Sequence, residues 1–127
     1  MSVDPSEGDL ARFVVDGPDG PFVMLNLLRF NEGGRERYAE YARRFRELVA
    51  DRYGVTTVYA GDGGAPLVAG SGSGWDAVLL VAYPDRAAFG RMVADPDYQQ
   101  IAHLRASALA ETVLQPTQPW GRPRPGA

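Results

Sequence analysis

Two segments of the chain have apolar residues on both faces of a predicted strand. The first runs from Pro21 to Phe30 and the second from Trp75 to Tyr83. Because side chains alternate between the two faces of a strand, these runs place apolar groups on either side. Strands of this kind are typically covered on both faces. We therefore expect two central strands with a packed layer on each side.

Between these strands the apolar spacing changes to that of a helix. After Gly34 the apolar positions recur at intervals of three and four, with Arg and Glu at most other positions; they are Tyr38, Tyr41, Ala42, Phe45, Leu48 and Val49. Tyr53-Gly54 ends this helix, and residues 55–60 predict a short β-branched strand. Residues 61–74 are rich in glycine and predict a long loop or open hairpin, with a brief pairing at 67–69 left open.

Aspartate beside proline marks three further helix starts, because aspartate caps a helix and proline is tolerated in its first turn. The three helices are expected to run from 5 to about 15, from 86 to 93 and from 96 to about 109, with Asp4, Asp85 and Asp95 as caps. A last short strand is expected at 111–115. The proline-rich residues from 116 onward should be extended or disordered.

Without the first helix, the predicted order is strand, helix, strand, strand, helix, strand, the two helices of 86–109 counting as one broken segment. This order is that of the α+β ferredoxin-like or split βαβ arrangement. Both of its helices cover one face of the sheet, so the other apolar face needs a second subunit. We expect one domain over residues 1–116, a tail over 117–127, and a homodimer that forms an α/β barrel.

The composition of the 127 residues excludes several kinds of chemistry. Hydrophobic residues make up 45%, enough for one sizeable core. The absence of cysteine excludes thiolate nucleophiles and iron–sulfur clusters, and the absence of lysine excludes Schiff-base catalysis. The single histidine, His103, excludes a two-histidine metal site within one chain. We expect neither a metal nor a cofactor.

Charge and hydropathy limit the partners. The net charge of -3 argues against a non-specific nucleic-acid binder, because such proteins neutralise phosphates with clustered positive charge. No apolar run reaches the roughly 20 residues that span a bilayer, and the first residues are acidic rather than basic and then apolar. We expect no nucleic-acid partner, no membrane association and a cytoplasmic location.

Several short motifs resemble those of a known family. They are the run 21–30, Tyr38-Ala39-Glu40-Tyr41, Trp75-Asp76, Tyr83-Pro84 with 86–89, and 95–98 with Arg105. On these motifs the chain resembles domain-of-unknown-function family 1330, in the dimeric α/β-barrel superfamily. The resemblance implies the ferredoxin-like fold and a dimer but no reaction. The family commonly has an acidic residue just before the position of Trp75, but this chain has Gly-Ser-Gly there. Any role of that carboxylate in the family therefore does not apply to this chain.

Three polar residues are candidates for catalysis. Asn26 places an amide among the apolar residues of the first strand, where it either holds a ligand oxygen or bonds a neighbouring group. Arg105 lies among apolar residues of its helix, where it binds an anionic or enolic ligand, pairs with Asp76 or Glu111, or reaches water at the helix edge. His103 lies on the polar side, and only if it turned inward would it serve as a general base.

Aromatic residues are the candidates for lining a pocket. A cavity for a flat apolar ligand could be lined by Trp75 and the tyrosines Tyr38, Tyr41, Tyr59, Tyr83 and Tyr98. The helical spacing of Tyr38 and Tyr41 is more often that of core residues, whereas Trp75 and Tyr83 share a strand face and are better candidates. The predicted substrate-binding residues are Trp75, Tyr83, Tyr59, Asp76 and Tyr41. The glycine-rich loop is expected to gate the mouth of the barrel.

Three hypotheses for function follow. The resemblance to the superfamily implies a pocket for a hydrophobic or aromatic molecule. The residue types are similar to those of its cofactor-independent oxygenases, isomerases or cyclases. This similarity implies that Asn26 and Arg105 stabilise an enolate while a tyrosine or His103 moves the proton. A second hypothesis is haem binding or breakdown, to which Asn26, Trp75 and His103 are similar in type. The third is a dimeric binding module without turnover. The composition, with arginine in place of lysine and many alanine, glycine and proline residues, adds an expectation of secondary metabolism.

Overall fold

The structure is a computed structural model and describes residues 3–18 and 20–121. Its helices and strands follow the order α1 (Glu7–Val15), β1 (Phe22–Phe30), α2 (Gly34–Phe45), β2 (Thr56–Asp62), β3 (Ala77–Tyr83), α3 (Arg86–Ala94), α4 (Pro96–Ala108) and β4 (Leu109–Thr117). After α2 the chain continues through a π-helical turn, Arg46–Ala50, and a 3₁₀ turn, Asp51–Tyr53.

The four strands form one antiparallel sheet in the order β2-β3-β1-β4. In the register of β1, Asn26 lies opposite Leu79 of β3 on one side and Leu114 of β4 on the other. This strand order and the βαββαβ connectivity are those of the α+β ferredoxin-like fold. The prediction of that fold with an extra N-terminal helix is confirmed.

All the helices pack on one face of the sheet. The even-numbered residues of β1 from 22 to 28 point toward them and are buried, and they join the core with residues from every helix, such as Phe13, Tyr41, Phe89 and Ile101. The odd-numbered residues from 23 to 27 point the other way and are only half-buried. With their neighbours they form the open face: Val23, Leu25, Leu27, Val78, Leu80 and Val113.

Two of the three predicted helix caps are confirmed. The side chain of Asp85 accepts a hydrogen bond from the main-chain N–H of Ala88 at 2.7 Å, and Asp95 accepts one from that of Asp97 at 2.8 Å. The first helix differs, because Ser6 rather than Asp4 caps it. Asp4 lies before the helix and contacts α4 instead.

The strand boundaries also differ from the predictions. β3 begins at Ala77 rather than Trp75, and residues 67–69 form no strand. β4 is longer than predicted because β1 offers it partners along almost its whole length, so Pro116 and Thr117 belong to the sheet rather than to the tail. Residues 122–127 of the predicted tail lie outside the described residues. Among the described helices, none is long and apolar enough to cross a membrane.

Candidate small-molecule site

A cavity of about 400 Å³ lies between α2 and the helix-covered face of β1, β3 and β2. We call it the α2 cavity. Its walls are largely apolar, with Leu28, Ala42, Phe45, Leu79 and Val81 among them. Its size and lining are typical of sites for small organic ligands.

A second cavity, of about 370 Å³, lies beneath α1, α3 and α4. We call it the α4 cavity, because α4 contributes Arg105 to its wall. Asn26, Tyr41 and Tyr83 line both cavities. These three residues therefore mark where the two spaces adjoin, and the polar groups around them form the candidate site.

Arg105 is the charged residue of this site, and only 4% of its surface is exposed. Its Nη1 donates to the carbonyl oxygen of Val3 at 2.6 Å and to Oδ1 of Asp4 at 3.0 Å. The structure corrects the predicted pairing with Asp76 or Glu111. In the described part of the chain, the buried Nη2 of Arg105 has no hydrogen-bond partner. Because an unpaired buried donor is costly, this nitrogen is suited to bind an anionic oxygen.

Asp76 and Glu111 have other partners. A carboxylate oxygen of Asp76 accepts a hydrogen bond from the main-chain N–H of Phe30 at 2.9 Å. Glu111 forms an ion pair with Arg29, directly opposite it across the β1–β4 pair. Both carboxylates thus hold the sheet and its connecting loop rather than the buried guanidinium.

Four tyrosines surround the same region, and we call them the tyrosine cluster: Tyr38, Tyr41, Tyr83 and Tyr98. The hydroxyls of Tyr41 and Tyr98 lie 3.1 Å apart in a hydrogen bond. Burial raises the pKa of Tyr38 to about 12 and also raises the pKa values of the other three, while the charge of Arg105 acts in the opposite direction on all four. The cluster is therefore protonated near neutral pH and provides hydrogen-bond donors rather than a base.

Asn26 supplies an amide on the central strand and is 8% exposed. Its Nδ2 donates to the carbonyl oxygen of Met24 in the same strand at 3.1 Å. Its Oδ1 accepts no hydrogen bond from residues 3–18 and 20–121. One bond therefore fixes the orientation of the amide, while its oxygen and its second N–H remain for a ligand.

Four predicted site residues line neither cavity. His103 is exposed on α4, and Tyr59 is 54% exposed on the edge strand β2. Trp75 donates from Nε1 to the carbonyl oxygen of Gly72 at 2.5 Å, beneath the guanidinium of Arg29. Asp76 is held by Phe30, as described above. Asn26, Tyr41, Tyr83 and Arg105 are the predicted residues that the fold brings together.

The sequence interpretation counted Tyr38 and Tyr98 among the tyrosines that could line a cavity but did not select them as binding residues. Tyr98 and Arg105 lie two helical turns apart on α4 and therefore share a face. Tyr38 lies one turn before Tyr41 on α2, where the spacing favoured the core. The contribution of Val3 and Asp4 had no local signal.

The sheet order and the cavities beneath its helices define a protein of the ferredoxin-like α+β class. A comparison with solved structures supports this class. A protein of unknown function from Rhodopseudomonas palustris is 30% identical, with a TM-score of 0.84 over 95% of this chain and 98% of that chain. A dabb family protein with a ferredoxin-like fold from Mesorhizobium loti is 13% identical, with a TM-score of 0.58 over 80% of this chain and 99% of that one.

A dimeric ferredoxin-like protein of unknown function from Thermobifida fusca is 16% identical, with a TM-score of 0.51 over 81% of this chain and 94% of that one. A search of curated proteins finds no significant match. The chain belongs to the family described as domain of unknown function DUF1330, whose model matches residues 27–115.

Proposed function

We propose that this protein binds a small aromatic molecule bearing an enolic or phenolic oxygen, and that it promotes a cofactor-independent reaction of that molecule by stabilising its deprotonated form. The observation that carries the proposal is the buried Nη2 of Arg105, which lacks a partner in the described residues at the wall of the α4 cavity. A ligand oxygen placed there would receive a charge-assisted hydrogen bond.

The walls favour an aromatic ligand. Leu79 and Val81 present a flat apolar surface from β3, and Phe45 faces it from α2. Asn26, Tyr41 and Tyr83 supply polar groups where the two cavities adjoin, and the other polar residues of the α2 cavity lie toward its ends. Such a distribution suits a ring system whose oxygen substituent points toward Arg105 and whose body lies against the strands.

The chemistry follows from the protonation states of the site. The reaction step is loss of a proton from an enolizable carbon or a hydroxyl, leaving the electron pair delocalised onto the ligand oxygen. Arg105 and the neutral tyrosine hydroxyls stabilise the negative oxygen, which lowers the pKa of the bound ligand. Such an anion is the first intermediate of those cofactor-independent oxygenases, isomerases and cyclases that act on enolizable substrates.

The proton acceptor differs from the one expected from the sequence. His103 lies outside the cavities, and burial raises the pKa values of the tyrosines in the cluster. Solvent water or hydroxide therefore takes the proton, and the site contributes through the anion it stabilises rather than through a base. The haem hypothesis loses its support for the same structural reason, because His103 and Trp75 do not meet Asn26.

A second copy of the chain is proposed to cover the open face. Its residues lie in register across β1, β3 and β4, and Leu25 stands opposite Leu80 at its centre. Half-exposed leucines and valines over several neighbouring strands form a contiguous apolar patch of the kind that marks an interface. The isologous contact of two such sheets would close the barrel.

Binding of p-nitrophenol tests the central claim, because its absorbance reports whether the phenol is ionised. We expect the pKa of bound p-nitrophenol to be lower than that of the free compound with wild-type protein, and the shift to vanish in Arg105→Gln. Arg91→Gln is the matched control, since Arg91 is an exposed arginine that lines neither cavity. Arg105→Lys retains a charge and should retain part of the shift if Arg105→Gln fails to fold. An unchanged shift in folded Arg105→Gln would overturn the proposal.

Deuterium exchange distinguishes an enzyme from a binding module. An aryl ketone with an acidic α C–H is incubated with the protein in D₂O, and the loss of that proton is followed by NMR. Accelerated exchange that depends on Arg105 supports catalysis. Binding without acceleration would assign the protein to the non-catalytic class instead.

A further inference from the structure

The α2 cavity has two polar ends that differ in charge balance. The lining contributed by α2 begins at Arg35 and continues to Arg46, the first residue of the π-helical turn. Arg46 lies about 16 Å from Arg35 along the helix axis. Arg35 donates from Nη1 to Oδ1 of Asp62 at 2.6 Å, and its guanidinium lies over the ring of Phe30. Arg46 makes no ion pair or hydrogen bond through its side chain within the described residues. One end is thus neutralised, while the other carries an open positive charge.

The register of β2 places a hydroxyl at the Arg46 end. Asp62 lies opposite Ala77 and Thr57 lies opposite Val81, so the two are separated by about 13 Å along the strand direction. Because Asp62 binds Arg35 at one end of α2, Thr57 lies toward the other end. Thr57 lines the cavity, and in the part of the chain that the structure describes its hydroxyl makes no hydrogen bond.

The distance from this end to Asn26 sets the length of a ligand. Asn26 on β1 lies opposite Leu79 of β3, and Thr57 on β2 lies opposite Val81. Two strand spacings across the sheet and two residues along it therefore separate them, about 12 Å in total. The surface between them is formed by Leu79 and Val81. A rigid bicyclic aromatic has a comparable length and fills such a space without exposing its rings.

We infer that the ligand is an aromatic carboxylic acid whose carboxylate binds Arg46 and Thr57 while its oxygen at the far end reaches Asn26 and the tyrosine cluster, and that Arg46 determines this specificity. The inference rests on the proposed function, because the carboxylate in the α2 cavity and the oxygen stabilised by Arg105 at the α4 cavity belong to one ligand. One planar guanidinium and one hydroxyl match the donors that a carboxylate requires, whereas a phosphate dianion would call for more. The change from α-helix to π-helix at Arg46 is a deviation often found at functional sites.

The test compares naphthol with hydroxynaphthoate, which differs from it by a carboxylate on the far side of the ring system. Affinities are measured by calorimetry for wild type, Arg46→Gln and the control Arg91→Gln, whose arginine is also exposed and without an ion pair in residues 3–18 and 20–121. We expect hydroxynaphthoate to bind wild type and Arg91→Gln about tenfold more tightly than naphthol. Arg46→Gln should bind both compounds equally, and Thr57→Val should lose a smaller part of the difference. Added salt should weaken hydroxynaphthoate binding to wild type more than to Arg46→Gln.

The outcomes separate this inference from the proposed function. If naphthol binds in an Arg105-dependent manner but the carboxylate adds nothing, or adds the same in Arg46→Gln, the specificity is overturned and the binding site stands. If neither compound binds wild type, both are overturned. Arg46 is exposed, so its substitution should leave the melting temperature unchanged, and a thermal melt of each variant verifies that the comparison is made between folded proteins.

Discussion

The carboxylate of Asp4 and the guanidinium of Arg105 form an ion pair at 3.0 Å. The two residues are separated by nearly the whole chain, and the pair fastens the N-terminal segment to α4. α1, which follows this segment, has no fully buried residue. The Asp4–Arg105 pair is therefore a principal polar tie between the N-terminal segment and the rest of the fold.

Asp4→Asn should lower the free energy of unfolding by about 1–2 kcal/mol, because it leaves the buried Arg105 without its negative partner while Asp4 itself is half-exposed. Urea denaturation measures the change. Asp9→Asn is the matched control, since its ion pair with Arg12 is exposed on both sides and should contribute less than about 0.5 kcal/mol. Equal effects of the two substitutions would contradict the buried role of Arg105.

Gly34→Ala should destabilise the protein by about 2 kcal/mol or more, although alanine is the better helix former. A Cβ at Gly34 would collide with the carbonyl oxygen of Ala108, where α2 meets the end of α4. Since the obstacle is backbone, the two helices would have to separate. Gly64→Ala serves as the control, because a Cβ there meets nothing within 4 Å. Thermal melts of both variants make the comparison.

Stability should fall in acid because of Asp95. A hydrogen bond from the hydroxyl of Tyr53, the guanidinium of Arg52 and the main-chain N–H of Asp97 lower the pKa of Asp95 from 3.8 to about 2. A carboxyl whose pKa is depressed by folding contributes stability above its unfolded pKa and loses it as the pH falls toward the folded value. The melting temperature should therefore drop between about pH 4 and pH 2. In Asp95→Asn this part of the drop should be absent, and an identical acid profile would refute the assignment.

The alkaline limit should depend on Tyr38. Burial raises its pKa from 10.0 to about 12, so the folded state favours the neutral phenol. A group whose pKa is raised by folding contributes its full stability below the unfolded pKa and loses it as the pH rises through the folded value. The stability of wild type should decline from about pH 10 to pH 12. Tyr38→Phe should show a shallower decline in the same melts; a decline of the same slope would show that Tyr38 ionises without penalty.

Leu25→Lys should reduce the solution mass from that of a dimer to that of a monomer, because it places a charge at the centre of the open face. Light scattering after size-exclusion chromatography measures the mass. Val15→Lys is the control, since Val15 is 76% exposed at the end of α1, and the helices pack on the opposite face of the sheet. A monomeric wild type, or a dimer that survives Leu25→Lys, would argue against the proposed interface.

Local patterns predicted most of the fold, because the signals for strands and caps lie within a few residues of the element. Asp85 and Asp95 are capping aspartates that bond the nearest free N–H groups, and they could be predicted from spacing alone. Asp4 has the same local signature, but its carboxylate binds Arg105. Because Arg105 lies 101 positions away along the chain, the local spacing of residues does not predict this pair.

The directions of the candidate site residues were predicted correctly where the periodicity of a helix sets them. They were predicted wrongly where a loop sets them. The helical periodicity of α4 predicted that Arg105 points toward the core and that His103 points toward solvent, and both positions agree with the structure. Trp75 was assigned to a strand face by extending the alternation beyond Ala77. The strand begins only at Ala77, so a loop determines the direction of Trp75, and its indole donates a hydrogen bond to the carbonyl oxygen of Gly72.

The alternation along β1 has a consequence for how the family can diversify. Leu25 and Leu27 belong to the open face while Asn26, between them, belongs to the cavity. A one-residue insertion or deletion in this strand would exchange the two surfaces, bringing apolar side chains to the ligand and an amide to the subunit contact. New ligand preferences can therefore arise in β1 by substitution but not by a change in the length of the strand.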